Sequence, residues 1–293
     1  MKPSPLHWTA PASLDEALAE LARVGDEGKV LAGGQSLLPL LNMRLAAPAY
    51  LVDINRLAEL AYVRADASGV RVGALARHAA VERDAGAHAG QPLLRQALRL
   101  VAHPVIRNRG TTVGSIAHAD PSGEMTAVLA LTGGTVHVAS TAGRRDVAAA
   151  DFFSWPLESS LTYGELAEAA TFPAFAPGSG STFVEVARRH GDYAVCGLAA
   201  VVTVADGVVA SARAAYVSVA PTPLVLDLTD AVRGADPATA DWAAAGELAG
   251  GVADPEADIH ATADYRRHLV RVLTARALAE AAGRTGESTT AAA

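Results

Sequence analysis

Two short glycine-rich segments combine residue types that can approach and hold an anion. The first is AGGQS at residues 32–36, and the second is GTTVGS at residues 110–115. Glycines let the backbone approach a ligand closely, and Ser36 opens a predicted helix whose N-terminal N–H groups favour an anion. Neither segment matches G-x-G-x-x-G or carries the lysine of a P-loop. The pattern indicates a pyrophosphate site formed by backbone N–H and hydroxyl groups. For either loop taken alone, a tight turn that binds no ligand is the alternative interpretation.

Three polar side chains follow the second loop directly, namely His118, Asp120 and Glu124. His and carboxylate groups are legitimate metal ligands, but no second His or Cys stands at a convincing spacing. A nucleophilic triad of Ser115 with His118 and Asp120 is disfavoured, because no G-x-S-x-G pattern surrounds the serine. We therefore interpret these side chains as groups that hydrogen-bond a sugar or ribityl chain.

A third segment, ARRHGDYAVCG at residues 187–197, leaves two interpretations open. It is typical of a solvated, charged strand end with a half-buried tyrosine. It is also compatible with an aromatic side chain, Tyr193, placed against a planar cofactor ring.

Composition excludes several classes of function. The net charge of −7 disfavours nucleic-acid binding. Cys196 is the single cysteine, so the chain can form no internal disulfide and cannot ligate an iron–sulfur cluster by itself. Because Cys196 lies in an apolar run, we expect a small buried core residue. No apolar run reaches bilayer length and no secretory signal is visible, so we expect a cytoplasmic protein without a membrane span.

The elements that must position these residues alternate between helices and strands. Ser13 and Glu16 form a capping box, which predicts a helix over SLDEALAELARVG that ends at Gly25. A strand KVLAG, a helix LLPLLNMRLA with Ser36 as N-cap and a strand YLVDINRL complete a first unit near residue 57. A hairpin, two helices, the second loop, the helix EMTAVLALTG and further strands follow up to residue 177.

The Pro/Gly/Ser segment at 173–181 is the predicted boundary between two domains, 1–177 and 178–286. After it we expect a three-stranded antiparallel sheet, with a hairpin at Asp206-Gly207, and two helices. Residues 287–293 are expected to be a disordered tail. The fold class is α+β.

The chain resembles the FAD-binding medium subunits of molybdenum hydroxylases, such as carbon monoxide dehydrogenase and xanthine dehydrogenase-type enzymes. The likeness runs from about residue 4 to residue 285. The residues that carry it are LAGGQSLLPLLNMRL (31–45), LVDINRL (51–57), IRNRGTTVGSIAHADPSGEM (106–125), ARRHGDYAVCG (187–197) and YRRHLVRVLTARAL (265–278).

This resemblance implies a two-part FAD domain of the PCMH/vanillyl-alcohol-oxidase type, divided near residue 57, and a smaller C-terminal domain. By motif match, the FAD pyrophosphate is expected against Leu31, Ala32, Gly33, Gly34, Gln35, Ser36, Leu37 and Leu38, and against Thr111, Thr112, Val113, Gly114 and Ser115. His118, Asp120 and Glu124 are expected along the cofactor, and Tyr193 near the isoalloxazine.

The resemblance also implies partners. A large subunit would carry the molybdopterin cofactor, and a small subunit would carry two [2Fe–2S] clusters, in an (αβγ)₂ heterohexamer. Electrons would reach FAD from the clusters and pass to NAD, a quinone, a carrier or O₂. No side chain of this chain is expected to act as an acid or base.

Two residues depart from the family pattern. Val113 stands where relatives often have glycine, so the backbone there must accept a side chain. Glu185 stands where some relatives have lysine, and a carboxylate opposes an anionic reduced flavin that a cation would favour.

Two alternatives to an electron-transfer subunit follow from the same residues. One is a stand-alone FAD oxidase or dehydrogenase of this fold, which often carries a covalent flavin link; His7, His78 and His103 do not stand in a context that suggests one. The other is a binding or assembly protein that holds no flavin.

Overall fold

Short strands alternate with helices through the first part of the chain. The computed structural model describes residues 2–286. In chain order the elements up to the predicted boundary are β1 (His7–Thr9), α1 (Leu14–Val24), β2 (Gly28–Leu31), α2 (Leu37–Asn42), β3 (Tyr50–Asp53), β4 (Val63–Asp66), β5 (Gly69–Gly73), α3 (His78–Arg83), α4 (Ala85–Gly90), α5 (Pro92–Leu98), α6 (Pro104–Arg107), α7 (Thr112–His118), α8 (Glu124–Thr132), β6 (Thr135–Ser140), β7 (Gly143–Ala148), α9 (Ala149–Phe152), β8 (Phe153–Trp155), β9 (Glu158–Ser159) and β10 (Leu166–Pro173).

The first unit is a small parallel sheet, in the order β1–β3–β2. Helix α1 begins as predicted, because the Ser13 hydroxyl accepts a hydrogen bond from the Glu16 N–H at 3.2 Å. The Glu16 carboxylate reaches back to the Ala12 N–H at 2.8 Å, one residue before the position expected for a capping box. Ser36 precedes α2, but its hydroxyl makes no capping hydrogen bond to the helix.

The second unit is an antiparallel sheet in the order β4–β5–β10–β6–β7. The predicted hairpin is confirmed as β4 and β5, the predicted helix EMTAVLALTG as α8, and the first of the strands expected after it as β6. The prediction of a loop around GTTVGS was wrong, because residues Thr112–His118 form helix α7. Thr111 begins that helix, since its hydroxyl accepts from the Gly114 N–H at 3.2 Å.

The C-terminal part consists of one antiparallel sheet and two helices. Its elements are β11 (Ser179–Ala187), β12 (Ala194–Ala205), β13 (Val208–Val217), β14 (Leu224–Asp227), α10 (Trp242–Val252) and α11 (Ala263–Gly283). The sheet has four strands in sequential order where three were predicted, because a short edge strand, β14, pairs with β13. The α+β class is confirmed, and so is the turn at Asp206-Gly207, where both residues have positive φ.

The C-terminal sheet is covered on both faces, which fixes it against the first part of the chain. Along β12, Cys196, Leu198 and Ala200 face the core shared with α10 and α11, whereas Ala199 and Val201 face the core of the first part. Alternation of side chains across a strand produces this division. The buried position of Cys196 is confirmed.

The predicted linker is shorter in the structure, with residues 174–178 joining β10 to β11. The domain boundaries stay predictions, and the predicted disordered tail lies outside the described residues. No helix within residues 2–286 has the length and apolar character needed to cross a bilayer.

Candidate functional site

The two glycine-rich segments meet, and Gly33 is the point of contact. A Cβ added to Gly33 would lie 2.6 Å from the Arg109 carbonyl oxygen, 2.7 Å from Gly110 Cα and 3.0 Å from the Thr111 nitrogen. All three are backbone atoms, so neither loop can move aside by a side-chain rotation. Gly34 adopts a left-handed conformation at φ +72°, which favours glycine. The two loops therefore form one continuous surface.

This surface is rich in free backbone donors. Within the described part of the chain, the N–H groups of Gly33, Gly34, Gln35, Ser36 and Leu37 donate to no protein acceptor. The N–H groups of Thr111 and Val113 are unpaired in the same way among residues 2–286. Consecutive unpaired N–H groups that include the first turn of a helix are the usual backbone setting for an anion.

The predicted residues in the first turn of α7 divide between the core and the surface. Thr112 is fully buried, with its hydroxyl 3.3 Å from His78 Nδ1. The Val113 side chain is 1% exposed and packs into the hydrophobic core. Its extra bulk compared with glycine is therefore accommodated by the core, and only its N–H belongs to the donor surface. Gly114 and Ser115 are half-buried.

At the other end of α7, His118 and Asp120 lie beside a tight turn. The two side chains approach to 3.9 Å between His118 Nε2 and Asp120 Oδ2. The second oxygen, Asp120 Oδ1, accepts the Ser122 N–H at 2.8 Å. Within residues 2–286, no group of three or more His, Cys, Asp or Glu side chains is arranged to hold a metal ion.

An acidic cluster of Asp120, Glu124 and Glu185 adjoins Tyr193, with Asp120 and Glu124 nearest to the tyrosine. Burial raises the pKa of Glu124 to about 8, with the charges of Glu185 and Asp120 acting in the same direction. Burial alone raises the pKa of Glu185 to about 7, and its Oε2 atom is buried with no partner in the described chain. Tyr193 is 65% exposed, and partial desolvation together with the nearby Asp120 and Glu124 raises its pKa to about 12.

This cluster predicts a pH-dependent stability. The pKa values of Glu124 and Glu185 are higher in the folded chain than the ordinary value of 4.5, so the folded chain binds these protons more tightly. The resulting stabilisation is complete below pH 4.5 and is lost as pH rises through 7 to 8. Between about pH 6 and pH 9 the free energy of unfolding of the unchanged chain should fall because Glu124 loses its proton. In Glu124→Gln we expect this fall to be smaller by roughly 2–3 kcal/mol.

Denaturant unfolding of the full chain at several pH values measures this effect. The exposed Glu59, which makes no ion pair with a described residue, supplies the control Glu59→Gln. The same slope with pH in Glu124→Gln and in the unchanged chain would refute the assignment of a neutral Glu124.

Sequence reasoning missed two residues that the structure brings to the site, Asn55 and Arg77. Glu185 was expected as a carboxylate in place of the lysine of some relatives, but its burial could not be read from a strand end. Asn55 contacts the first loop, Arg77 contacts the second, and the two side chains are hydrogen-bonded to each other. Asn55 lies in the LVDINRL segment that carries the resemblance, so that shared motif was the available signal.

Two family models account for nearly the whole chain. Residues 4–175 match the model described as the FAD binding domain in molybdopterin dehydrogenase. Residues 181–281 match the model of the CO dehydrogenase flavoprotein C-terminal domain.

The chain belongs to the FAD-binding medium-subunit family of the molybdenum hydroxylases.

Full-length relatives agree with this assignment. The alpha subunit of the 6-hydroxypseudooxynicotine dehydrogenase complex of Paenarthrobacter nicotinovorans is 37% identical over 283 residues, which cover 96% of each chain. The carbon monoxide dehydrogenase medium chain of Hydrogenophaga pseudoflava is 34% identical, over 95% of this chain and 97% of that one. These family members are subunits of oxidoreductase complexes.

Solved structures of the family have the same fold. Carbon monoxide dehydrogenase from Hydrogenophaga pseudoflava superposes with a TM-score of 0.90 at 35% identity, covering 97% of this chain and 99% of that chain. Quinoline 2-oxidoreductase from Pseudomonas putida 86 gives a TM-score of 0.89 at 36% identity, with the same coverage.

The residues present in this family member fit FAD. A dinucleotide needs a pyrophosphate site, and the junction of the two loops offers unpaired N–H donors and a glycine at the point of closest backbone approach. Helix α7 then extends for seven residues, about 10 Å, toward the cluster around Tyr193. The donor surface and the aromatic side chain thus stand at opposite ends of one short helix, as an elongated ligand requires.

Proposed function

We propose that this chain binds FAD and relays electrons within a molybdenum hydroxylase complex. In this proposal a large subunit carries the molybdopterin cofactor, and a small subunit supplies electrons from two [2Fe–2S] clusters. The external acceptor is NAD, a quinone, a carrier or O₂. The observation that supports it most strongly is the junction of Gly33 with residues 109–111, where two loops about eighty residues apart in sequence form one donor surface.

The chain's own residues would bind and orient the cofactor. Backbone N–H groups of residues 33–37, with those of Thr111 and Val113, would hold the pyrophosphate, while Leu31, Ala32 and Leu38 shape the edge of the first loop. Ser115, His118 and Asp120 would bond the ribityl and sugar hydroxyls along α7. FAD, when bound, supplies both one-electron and two-electron redox chemistry.

The acidic cluster would control charge next to Tyr193. Because Glu124 and Glu185 hold protons near neutral pH, they present less negative charge to a flavin ring than two ionised carboxylates would. We propose that Tyr193 contacts the ring and that Glu185 takes the place of the lysine seen in some relatives without imposing a full charge.

The names of the relatives do not converge on one substrate. They include nicotine 6-hydroxylase, caffeine dehydrogenase and carbon monoxide dehydrogenase. We propose accordingly that substrate is recognised on the large subunit. The (αβγ)₂ stoichiometry and a cytoplasmic location stay predictions.

Co-purification from the native host tests the proposed function. We expect one complex that contains flavin, iron and molybdenum, with an absorption spectrum that shows flavin and iron–sulfur bands. A stable chain that purifies alone with FAD and oxidises an alcohol or aldehyde would instead support a stand-alone flavoenzyme. A colourless chain that takes up no FAD on reconstitution would support a flavin-free binding protein.

A further inference from the structure

Three carbonyl oxygens at the loop junction are hydrogen-bonded by side chains. Asn55 Nδ2 donates to the Ala32 carbonyl at 2.8 Å, and Arg77 Nη1 donates to the Arg109 carbonyl at 2.6 Å. Gln35 Nε2 donates to the Gly33 carbonyl at 3.1 Å. These oxygens belong to the same short segments whose N–H groups are unpaired. Because these carbonyl oxygens are already occupied by side-chain donors, the surface offers a ligand mainly backbone N–H groups.

Asn55 and Arg77 also bond to each other, which joins the two loops through side chains. Arg77 Nη2 donates to Asn55 Oδ1 at 2.7 Å. The first loop is held through Ala32 and the second through Arg109, so the chain of contacts runs from one loop to the other without a gap. Asn55 follows the parallel sheet of the first unit, and Arg77 follows β5 of the second. The bridge thus spans the two units of the FAD domain.

The bridge is held in place from the side of the first unit. Asp53 Oδ1 accepts both the backbone N–H of Asn55 at 3.0 Å and its Nδ2 at 2.7 Å. The other carboxylate oxygen, Asp53 Oδ2, accepts the Trp8 indole N–H at 3.2 Å. This sets the Asn55 amide so that its oxygen faces Arg77 and its nitrogen faces Ala32.

We propose that Asn55 and Arg77 are positioning residues that clamp the two loops together and keep carbonyl oxygens away from the pyrophosphate. This inference rests on the proposed binding of FAD at the junction. A carbonyl lone pair next to a phosphate oxygen is repulsive, so a loop that rotates one carbonyl into the site loses a donor and gains a repulsive contact. Arg77 acts by donating two hydrogen bonds in fixed directions, to the Arg109 carbonyl and to Asn55, and its positive charge alone would not be sufficient.

The sharpest test separates two-point bridging from charge. Arg77→Lys retains the positive charge but cannot donate in the planar fork that reaches both Arg109 and Asn55. Asn55→Ala removes the other half of the bridge. Arg56→Gln is the matched control, because this neighbouring arginine is exposed and makes no ion pair with a described residue.

FAD titration of the full chain, followed by flavin fluorescence, measures the dissociation constant. We expect Arg77→Lys and Asn55→Ala each to raise the dissociation constant for FAD about tenfold or more, and Arg56→Gln to leave it unchanged. The double variant should be little weaker than the worse single variant, because both changes break one bridge. FAD affinity in Arg77→Lys equal to that of the unchanged chain, or fully additive losses, would overturn the proposal.

Amide hydrogen exchange of the FAD-free chain keeps this test independent of the proposed function. Both bridge variants should exchange faster at residues 32–38 and 109–115, with the C-terminal sheet unaffected. Unchanged exchange at both loops would overturn the bridge itself. If the unchanged chain binds no FAD but the variants loosen the loops as expected, the proposed function fails while the clamp stands.

Discussion

Replacing Gly33 by valine raises the dissociation constant for FAD by about a hundredfold or more, because any side chain at this position meets backbone. The Cβ alone would stand 2.6 Å from the Arg109 carbonyl oxygen and 2.7 Å from Gly110 Cα. Overpacking of a rigid contact costs typically about 1–3 kcal/mol, and valine adds two methyl groups to the clash. The strain is relieved only if the loops separate, which disperses the N–H groups that bind the pyrophosphate.

Isothermal titration of the full chain with FAD measures this loss. Gly33→Ala should show a smaller effect in the same direction, and Gly251→Ala is the control, since its added Cβ meets no atom within 4 Å. Both Gly33 variants should remain folded, because the contact lies at the edge of the core rather than within it. FAD binding by Gly33→Val at the affinity of the unchanged chain would contradict the account of the junction.

The second large effect concerns the C-terminal helix. Arg266→Met should lower the free energy of unfolding by about 2–3 kcal/mol, because it leaves backbone carbonyl oxygens of Val195 and Ser218 without their charged donor in a buried setting. Arg266 is 7% exposed and donates to the Val195 carbonyl at 3.1 Å, the Ser218 carbonyl at 2.5 Å and the Asp258 carboxylate at 2.6 Å. Methionine fills the volume but leaves all three acceptors without this donor.

The loss should extend beyond helix α11 to the loop that carries Asp120. Ser218, whose carbonyl Arg266 binds, donates its N–H to the Pro121 carbonyl at 2.9 Å and its hydroxyl to Ser122 at 2.8 Å. Its φ of +65° is rare for a residue other than glycine, so the surrounding contacts must hold it. Arg266 thereby supports the turn between α7 and α8.

Denaturant unfolding with Arg267→Gln as control isolates this effect. Arg267 is the adjacent arginine, but its ion pairs reach Asp254 and Asp264, whose side chains are almost fully exposed. Exposed pairs contribute about 0–1 kcal/mol, so the control should change little. Equal losses in the two variants would show that burial of Arg266 has no special role.

Local signals in the sequence were sufficient for much of the fold. The capping serine of α1, the Gly25 stop and the Asp206-Gly207 turn each act within a few residues, and each is confirmed. The expectation that the two glycine-rich loops belong together is supported by their contact at Gly33. That expectation needed the shared motifs, because nothing in either loop alone identifies its partner.

What sequence could not show depends on contacts distant in the chain. Strand β1 has three residues and forms by pairing with the distant β3, with His7 beside Tyr50, and the four-residue β14 forms as an edge strand on β13. Helix α7 was expected as a loop, since Thr112, Val113 and Gly114 in its first turn disfavour helix locally. The Thr111 cap and the buried Ile116 overcome that preference.

The same limit applies to the candidate site. Glu185 and Glu124 lie more than sixty residues apart in sequence, so the effect of Glu185 on the pKa of Glu124 follows only from the fold, which packs the C-terminal sheet against α8. The bridge of Asn55 and Arg77 likewise joins two units that the sequence presents separately. Side chains that act between elements were therefore the ones missed.

Amide hydrogen exchange of the full chain with and without FAD tests whether the two glycine-rich segments form one pyrophosphate site. We expect FAD to slow exchange at residues 33–37 and at Thr111 and Val113, whose N–H groups have no acceptor within the described chain. Protection should appear at both segments together and at the same FAD concentration. FAD binding that leaves these amides unprotected, or that protects only one of the two segments, would contradict the claim that they form a single pyrophosphate site.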